Sequence, residues 1–184
     1  MKNILCSLSV LLILISCREP QARRPVSVKT GTTFIQESID RNKQLLAFEE
    51  EQIRTIIERD TVHTYISSPN GYSYYYNIKN ESANYYPKTD DVIKLSYEIR
   101  TIDDTIIYAK EDVGEQTIKV DKVELFPGLR TAVKLIKEGE TMTFVFPSAL
   151  AHGYHGDNNK IGTNVPIICT VTLLDIVEIA EGTN

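Results

Sequence analysis

The chain has 184 residues, enough for one ordinary domain with an extension and for a real hydrophobic core. Its 20 basic and 25 acidic residues leave a formal net charge of −5. A mildly acidic chain without a strongly basic stretch argues against nucleic acid as a partner.

The first segment, MKNILCSLSVLLILISC, opens with one lysine and runs into an apolar stretch from Leu8 to Ile15. That stretch is too short to span a bilayer as a mature helix and fits a secretory signal. It ends in Leu14-Ile15-Ser16-Cys17, which resembles the bacterial lipobox. The resemblance implies lipid on Cys17 and cleavage before it, so residues 1–16 are expected to be a lipoprotein signal peptide. A plain signal peptide or an uncleaved anchor is the alternative. Two or three acyl chains anchor stably where one binds only marginally. Cleavage removes Cys6 and leaves Cys169 as the one free thiol, so no intramolecular disulfide is expected. Cys169 sits in an apolar, strand-like run and reads as a small buried hydrophobe. Arg18-Glu19 after Cys17 lacks the acidic pattern associated with inner-membrane retention. The expected location is therefore the cell envelope, at the outer membrane facing the periplasm.

Residues 17–33, with two prolines and three arginines, read as a tether. Residues 34–60 read as an N-terminal helix, with apolar Ile35, Ile39, Leu45, Leu46, Phe48, Ile53, Ile56 and Ile57 at roughly helical spacing. Thr32 or Thr33 is its expected cap, and Glu49-Glu50-Glu51 reads as a solvated face. A partner helix, or self-pairing through the stripe, is the sharper alternative. Residues 61–84 form a connecting strand region, in which GYSYYYNIKN alternates after the Pro69-Asn70-Gly71 turn.

DDVIKLSYEIR follows with period two. Ile93, Leu95, Tyr97 and Ile99 share one face, and Lys94, Ser96, Glu98 and Arg100 the other. TIIYA and QTIKV are further short strands. Pro127-Gly128 opens a helix with Leu129, Ala132, Val133 and Ile136 on one face, and Gly139 is its expected left-handed terminator. ETMTFVFP should point Met142, Phe144 and Phe146 inward. Val165 to Ile179 is apolar enough to be a central strand. These elements make an α+β design, an antiparallel sheet with one helix packed on it.

Three stretches in order carry a resemblance. VIKLSYEIRTIDDTII, FPGLRTAVKLIKEGETMTFVFPSALAHG and KIGTNVPIICTVTLLDIVEI together resemble FKBP-type peptidyl-prolyl cis-trans isomerases over residues 85–179. With the lipobox, the tether and the first helix, the chain resembles the gliding-motility-associated, GldI-like lipoproteins of Bacteroidetes. The resemblance implies an FKBP-like half-barrel sheet wrapped on one short helix, with an apolar pocket between them that takes a proline ring. It implies an isomerase of X-Pro bonds that needs no cofactor and no metal. Its clients would be proline-containing envelope proteins, including components of gliding or secretion machinery. A binding module on the same fold, with little catalysis, is the rival reading.

The family's site residues map unevenly. Tyr97 matches the tyrosine of the first pocket strand, though without the resemblance it reads as an ordinary core tyrosine on an apolar face. Phe126 and Leu125 match the apolar pair before Pro-Gly, and Leu129 the pocket floor. Ile161 matches the isoleucine whose amide receives a substrate carbonyl. Ile107, Ile118 and Cys169 stand where the family has phenylalanine, and Tyr108 where it often has aspartate. His152 replaces a loop tyrosine, which implies a pocket lip sensitive to pH. The assigned catalytic set is therefore Tyr97, Phe126, His152 and Ile161. The substrate-binding set is Ile107, Tyr108, Ile118, Leu125, Leu129 and Cys169. A metal site on His152 and His155 lacks a clear third ligand, because Asp157 serves as readily as a turn residue.

Overall fold

A computed structural model describes residues 31–180, with side chains from residue 35 onward. The expected signal peptide, Cys17 and most of the tether lie outside the described residues. The chain divides into two compact units, Met1–Asp40 and Arg41–Asn184. The described part of the first is the start of helix α1 (Gly31–Arg59). This helix begins ahead of Thr32 and Thr33, so neither threonine caps it. No helix among the described residues is long and apolar enough to cross a membrane.

The second unit is built on one antiparallel sheet. Its strands are β1 (Ile66–Ser67), β2 (Ser73–Ile78), β3 (Val92–Thr101), β4 (Ile106–Tyr108), β5 (Gln116–Lys119), β6 (Thr141–Phe146) and β7 (Ile167–Glu178). The order across the sheet is β1-β2-β6-β7-β3-β4, with β5 also paired to β3. The apolar run of β7 earns its central place. It pairs with β6 on one side, and on the other with β3 along that strand's whole length, Val92 facing Glu178 and Thr101 facing Ile167. The connection from β4 to β5 carries a single turn of helix, α2 (Lys110–Val113).

The inner face holds Ile93, Leu95, Ile99, Met142, Phe144, Phe146 and Val171, packed with Leu129, Ala132 and Val133 of the segment after Pro127. Removing a side chain of this size from water contributes about 1.5–3 kcal/mol. That segment is α3 (Pro127–Ala132), continued as a 3-10 turn over Val133–Leu135. Pro127 suits the first helical position, where its missing N–H costs nothing. The helix is shorter than its apolar spacing predicts, because Ile136 already has extended backbone angles. Gly139 therefore does not terminate it. With φ +75° it is the third residue of the turn Lys137–Glu140, closed by Glu140 N–H donating to Lys137 O at 3.0 Å.

Alternation misses the other face. Ser96, Thr143 and Val145 are also buried, because the sheet is covered on both sides. Val145 and Ile168 pack against Ile53 of α1, with Ile57 and Tyr65 alongside. Glu49, expected in a solvated run, is only 2% exposed, whereas Glu50 and Glu51 do face solvent. Two further carboxylates are fully buried and tie loops to the sheet. Asp91 accepts from Lys88 N–H at 2.7 Å, Ala180 N–H at 2.8 Å and Tyr85 O–H at 2.9 Å. Glu140 accepts from Asn80 N–H at 3.1 Å and Lys137 N–H at 2.9 Å, with the Lys137 ammonium 3.4 Å away.

Gly128 fixes how close α3 lies to the sheet. A methyl group there would stand 2.5 Å from the Phe146 ring and 2.8 Å from the Leu150 carbonyl oxygen. The backbone oxygen cannot rotate away as a side chain does. Gly128→Ala is expected to cost about 1–3 kcal/mol through overpacking, read as a lower urea midpoint at unchanged m value.

Candidate active site

The cleft beside α3 has a volume of about 410 Å³. Strand β3 supplies Tyr97 and Ile99, and β4 supplies Tyr108. The stretch Glu124-Leu125-Phe126 forms the wall that leads into α3, while Asp112, Val113 and Gln116 come from α2 and β5. The loop after β6 closes the rim with His152 and Asp157.

Aromatic packing holds the deep side. Phe126 meets Phe146 edge to face at 5.5 Å, and Phe146 stacks on Phe144 at 5.6 Å. His152 leans on Phe126 with ring centroids 5.3 Å apart. Tyr97 is half-buried, and loss of water pushes its phenol pKa up, with Cys169 and Tyr108 adding to the rise. Its hydroxyl therefore keeps its proton. Among the described residues neither the Tyr97 hydroxyl nor the His152 ring has a hydrogen-bond partner. An apolar cleft thus carries two polar groups with their hydrogen-bonding capacity unspent.

The rim is organised by Asp157, which the sequence left open between a third metal ligand and a turn residue and did not place in the pocket. Its Oδ1 accepts from Asn159 N–H at 2.9 Å and Ile161 N–H at 2.8 Å, while the Tyr108 hydroxyl donates to Oδ2. Lys160 adds a second tie, donating to the Ile107 carbonyl at 3.1 Å with its ammonium over the Tyr108 ring. Gly156, with φ +66°, turns the chain so closely that a methyl group would meet the Ile161 carbonyl at 2.3 Å. Burial alone would raise the Asp157 pKa. The donors from Tyr108, Asn159 and Ile161, with His152 nearby, outweigh it and hold the carboxyl below its usual range.

A groove of about 400 Å³ between α1 and the β1–β2 hairpin is lined by Ile53, Ile57, Val145 and several serines. It brings none of the candidate residues together. Among the described residues no three His, Cys, Asp or Glu side chains gather as metal ligands.

Residues 84–174 match the family model for FKBP-type peptidyl-prolyl cis-trans isomerase. This segment is an FKBP domain. The chain is 35% identical over 102 residues to a probable FKBP-type isomerase, FkpA, of Neisseria meningitidis serogroup B, a match over 55% of this chain and 37% of the relative. It is 32% identical over 111 residues to FkpA of Aeromonas hydrophila, over 59% of this chain and 40% of the relative. The chain thus spans less than half the length of these curated relatives. Among solved structures, FkpA of Escherichia coli superposes with a TM-score of 0.57 at 20% identity, covering 95% of this chain and 81% of that one. An isomerase from Pseudomonas syringae gives 0.55 at 18% identity, covering 72% and 93%. These likenesses carry the fold, an antiparallel FKBP-like sheet with a preceding helix.

Of the site residues assigned by FKBP resemblance, Tyr97, Tyr108, Leu125, Phe126 and His152 line the cleft together. Ile118, Leu129, Ile161 and Cys169 are buried in the core behind it, and Ile107 packs against that core partly buried. Burial also pushes the Cys169 thiol pKa far up, which suits an inert core residue. Two expectations change. The Ile161 amide, assigned to a substrate carbonyl, already donates to Asp157. Tyr108, which stands where the family often has aspartate, instead donates its hydroxyl to Asp157 on the loop.

Asp157 has a depressed folded pKa, so its contribution to stability is complete above the ordinary carboxylate value of about 4 and is lost as pH falls through the lower folded value. Asp157→Asn is expected to lower the urea midpoint near neutral pH. The gap from wild type should narrow at about pH 3 and below.

Proposed function

We propose that this chain is a peptidyl-prolyl cis-trans isomerase of the FKBP type, lipid-anchored at Cys17 and acting on X-Pro bonds of envelope proteins. The observation that carries the reading is the apolar cleft of the FKBP domain, with the unbonded Tyr97 hydroxyl and His152 ring at its walls. The names of the relatives support the same activity.

Cis and trans X-Pro bonds differ little in energy, but rotation meets a barrier of about 18–20 kcal/mol because amide resonance must be lost. The twisted amide is less dipolar than the planar one. A cleft that strips water from the proline ring against Phe126, Leu125 and Ile99 favours it relative to the ground state. Tyr97 and neutral His152 can each donate to the carbonyl that precedes or follows the turning bond. No nucleophile, metal or cofactor enters this scheme.

Burial holds the His152 pKa below 6.5, with Asp157 opposing the shift. The ring is therefore neutral around pH 7, and any change at the lip falls on the acid side of 6.5. The finer reading rests on the lipobox-like end at Cys17, the tether and the first helix. It assigns a GldI-like lipoprotein facing the periplasm from the outer membrane, serving gliding or secretion machinery. The engaged Ile161 amide and the aliphatic Ile107 and Ile118 favour a second reading, a module that holds a proline-containing segment with little turnover.

Two measurements test these proposals. The full-length chain in detergent should accelerate cis-to-trans conversion of a proline peptide, and Tyr97→Ala or Phe126→Ala should lower kcat/KM by about ten-fold or more. A folded wild-type protein that binds the peptide without accelerating it establishes the holding module. Labelled palmitate should enter the wild type and not Cys17→Ser, and equal labelling removes the anchor.

A further inference from the structure

The carboxylate of Glu49 is spent on one residue. Its Oε2 accepts from Ser148 N–H at 2.8 Å and its Oε1 from Ser148 Oγ–H at 2.6 Å. Both residues are buried. Among the described residues no lysine, arginine or histidine pairs with Glu49. Burying a carboxylate without a cation carries a desolvation cost that two hydrogen bonds only partly offset. An apolar side chain at position 49 would serve a purely structural helix at least as well.

Ser148 begins the 3-10 turn Ser148–Leu150, the first part of the flap between β6 and the cleft rim. Leu150 and Ala151 fold back to donate to the Pro147 carbonyl, so displacement of Ser148 carries this turn with it. Four residues further on, His152 reaches the cleft. The far end of the flap is tied separately, through Asn164 N–H to Gly153 O at 2.8 Å and through the Asp157 turn. Between α1 and the flap there is also a groove of about 330 Å³, lined by Leu45, Leu46, Ser148 and Tyr154 among others. The flap is therefore incompletely packed on the helix, and the Glu49–Ser148 bonds supply the directional link.

We infer that Glu49 is a positioning residue: helix α1 sets the flap through Ser148, and through the flap the hold of the cleft on an X-Pro segment. This rests on the FKBP cleft being the binding site, and it deepens the proposed function by making the N-terminal helix part of that site's control. The mechanism needs no contact between α1 and substrate. A flap freed at Ser148 samples more positions, and His152 loses its seat on Phe126 for part of the time.

Three variants separate this from a general role in stability. Glu49→Ala removes both bonds. Glu49→Gln keeps them, with its oxygen accepting from the Ser148 amide and its NH₂ donating to Oγ. Ile53→Ala weakens the docking of the same helix on Val145 and Ile168 without touching the flap. The first readout is the NMR titration of the His152 ring in the full-length protein. The ring is compared with Tyr97, Tyr108, Asp112, Glu124 and Asp157, which face the same cleft and are unchanged in all three variants.

The expected result is a His152 midpoint that moves toward 6.5 in Glu49→Ala and stays near wild type in Glu49→Gln and Ile53→Ala. The second readout is binding and turnover of a proline peptide. Kd and KM should rise by about ten-fold in Glu49→Ala, with kcat changed less, and should return to within about two-fold in Glu49→Gln. An unchanged His152 titration and peptide affinity in Glu49→Ala, with only the loss of stability that Ile53→Ala shows, overturns the inference. A wild type that binds but does not turn over peptide overturns the isomerase reading alone, because the titration and Kd still report on Glu49.

Discussion

The close approach of α3 to β6 governs the placement of everything around the cleft. Gly128 leaves no room between the helix backbone and the Phe146 ring, so the helix is fixed against the sheet at that point. Phe126, the residue before the helix, is set edge-on to Phe146, and His152 rests against it. Leu129 fills the space behind.

A second constraint is shared by the connecting segments. Four carboxylates, Glu49, Asp91, Glu140 and Asp157, each take at least one backbone N–H from a segment that has no ladder to join. Backbone donors left dry and unpaired are costly, and an ionised acceptor satisfies them more strongly than a neutral one. Each carboxylate sits on a different part of the molecule and fixes a different loop. The irregular part of the domain is tied by carboxylate hydrogen bonds where the regular part is held by ladders and apolar packing.

Legibility in the sequence followed the same divide. The strict period of β3 and the apolar run of β7 are local patterns that gave those elements nearly to the residue, while the Pro-Gly entry gave the start of α3 and not its end. The FKBP likeness located the cleft because its residues are clustered in three ordered stretches. What could not be read was pairing at a distance. Glu49 lies in a run of three glutamates whose two neighbours are solvated, and nothing local marks the one that turns inward toward a serine 99 positions away. Thr143 and Val145 read as an outer face because the sequence does not say that α1 covers it. The Asp157–Tyr108 pair joins residues 49 positions apart, and its signal was the combination of a misplaced phenol and a nearby loop aspartate. A residue-by-residue transfer of family positions did not bring that loop aspartate into account.

The two outer edges of the sheet are short. β1 has two residues, and β4 and β5, which share the opposite side of β3, have three and four. An extended polypeptide joins a sheet by lying along an edge and trading hydrogen bonds with a run of free amides and carbonyls. Edges this brief give such a guest few rungs and no register. An extended segment of another chain therefore finds little to join along these edges. The same economy protects the protein from zipping onto copies of itself.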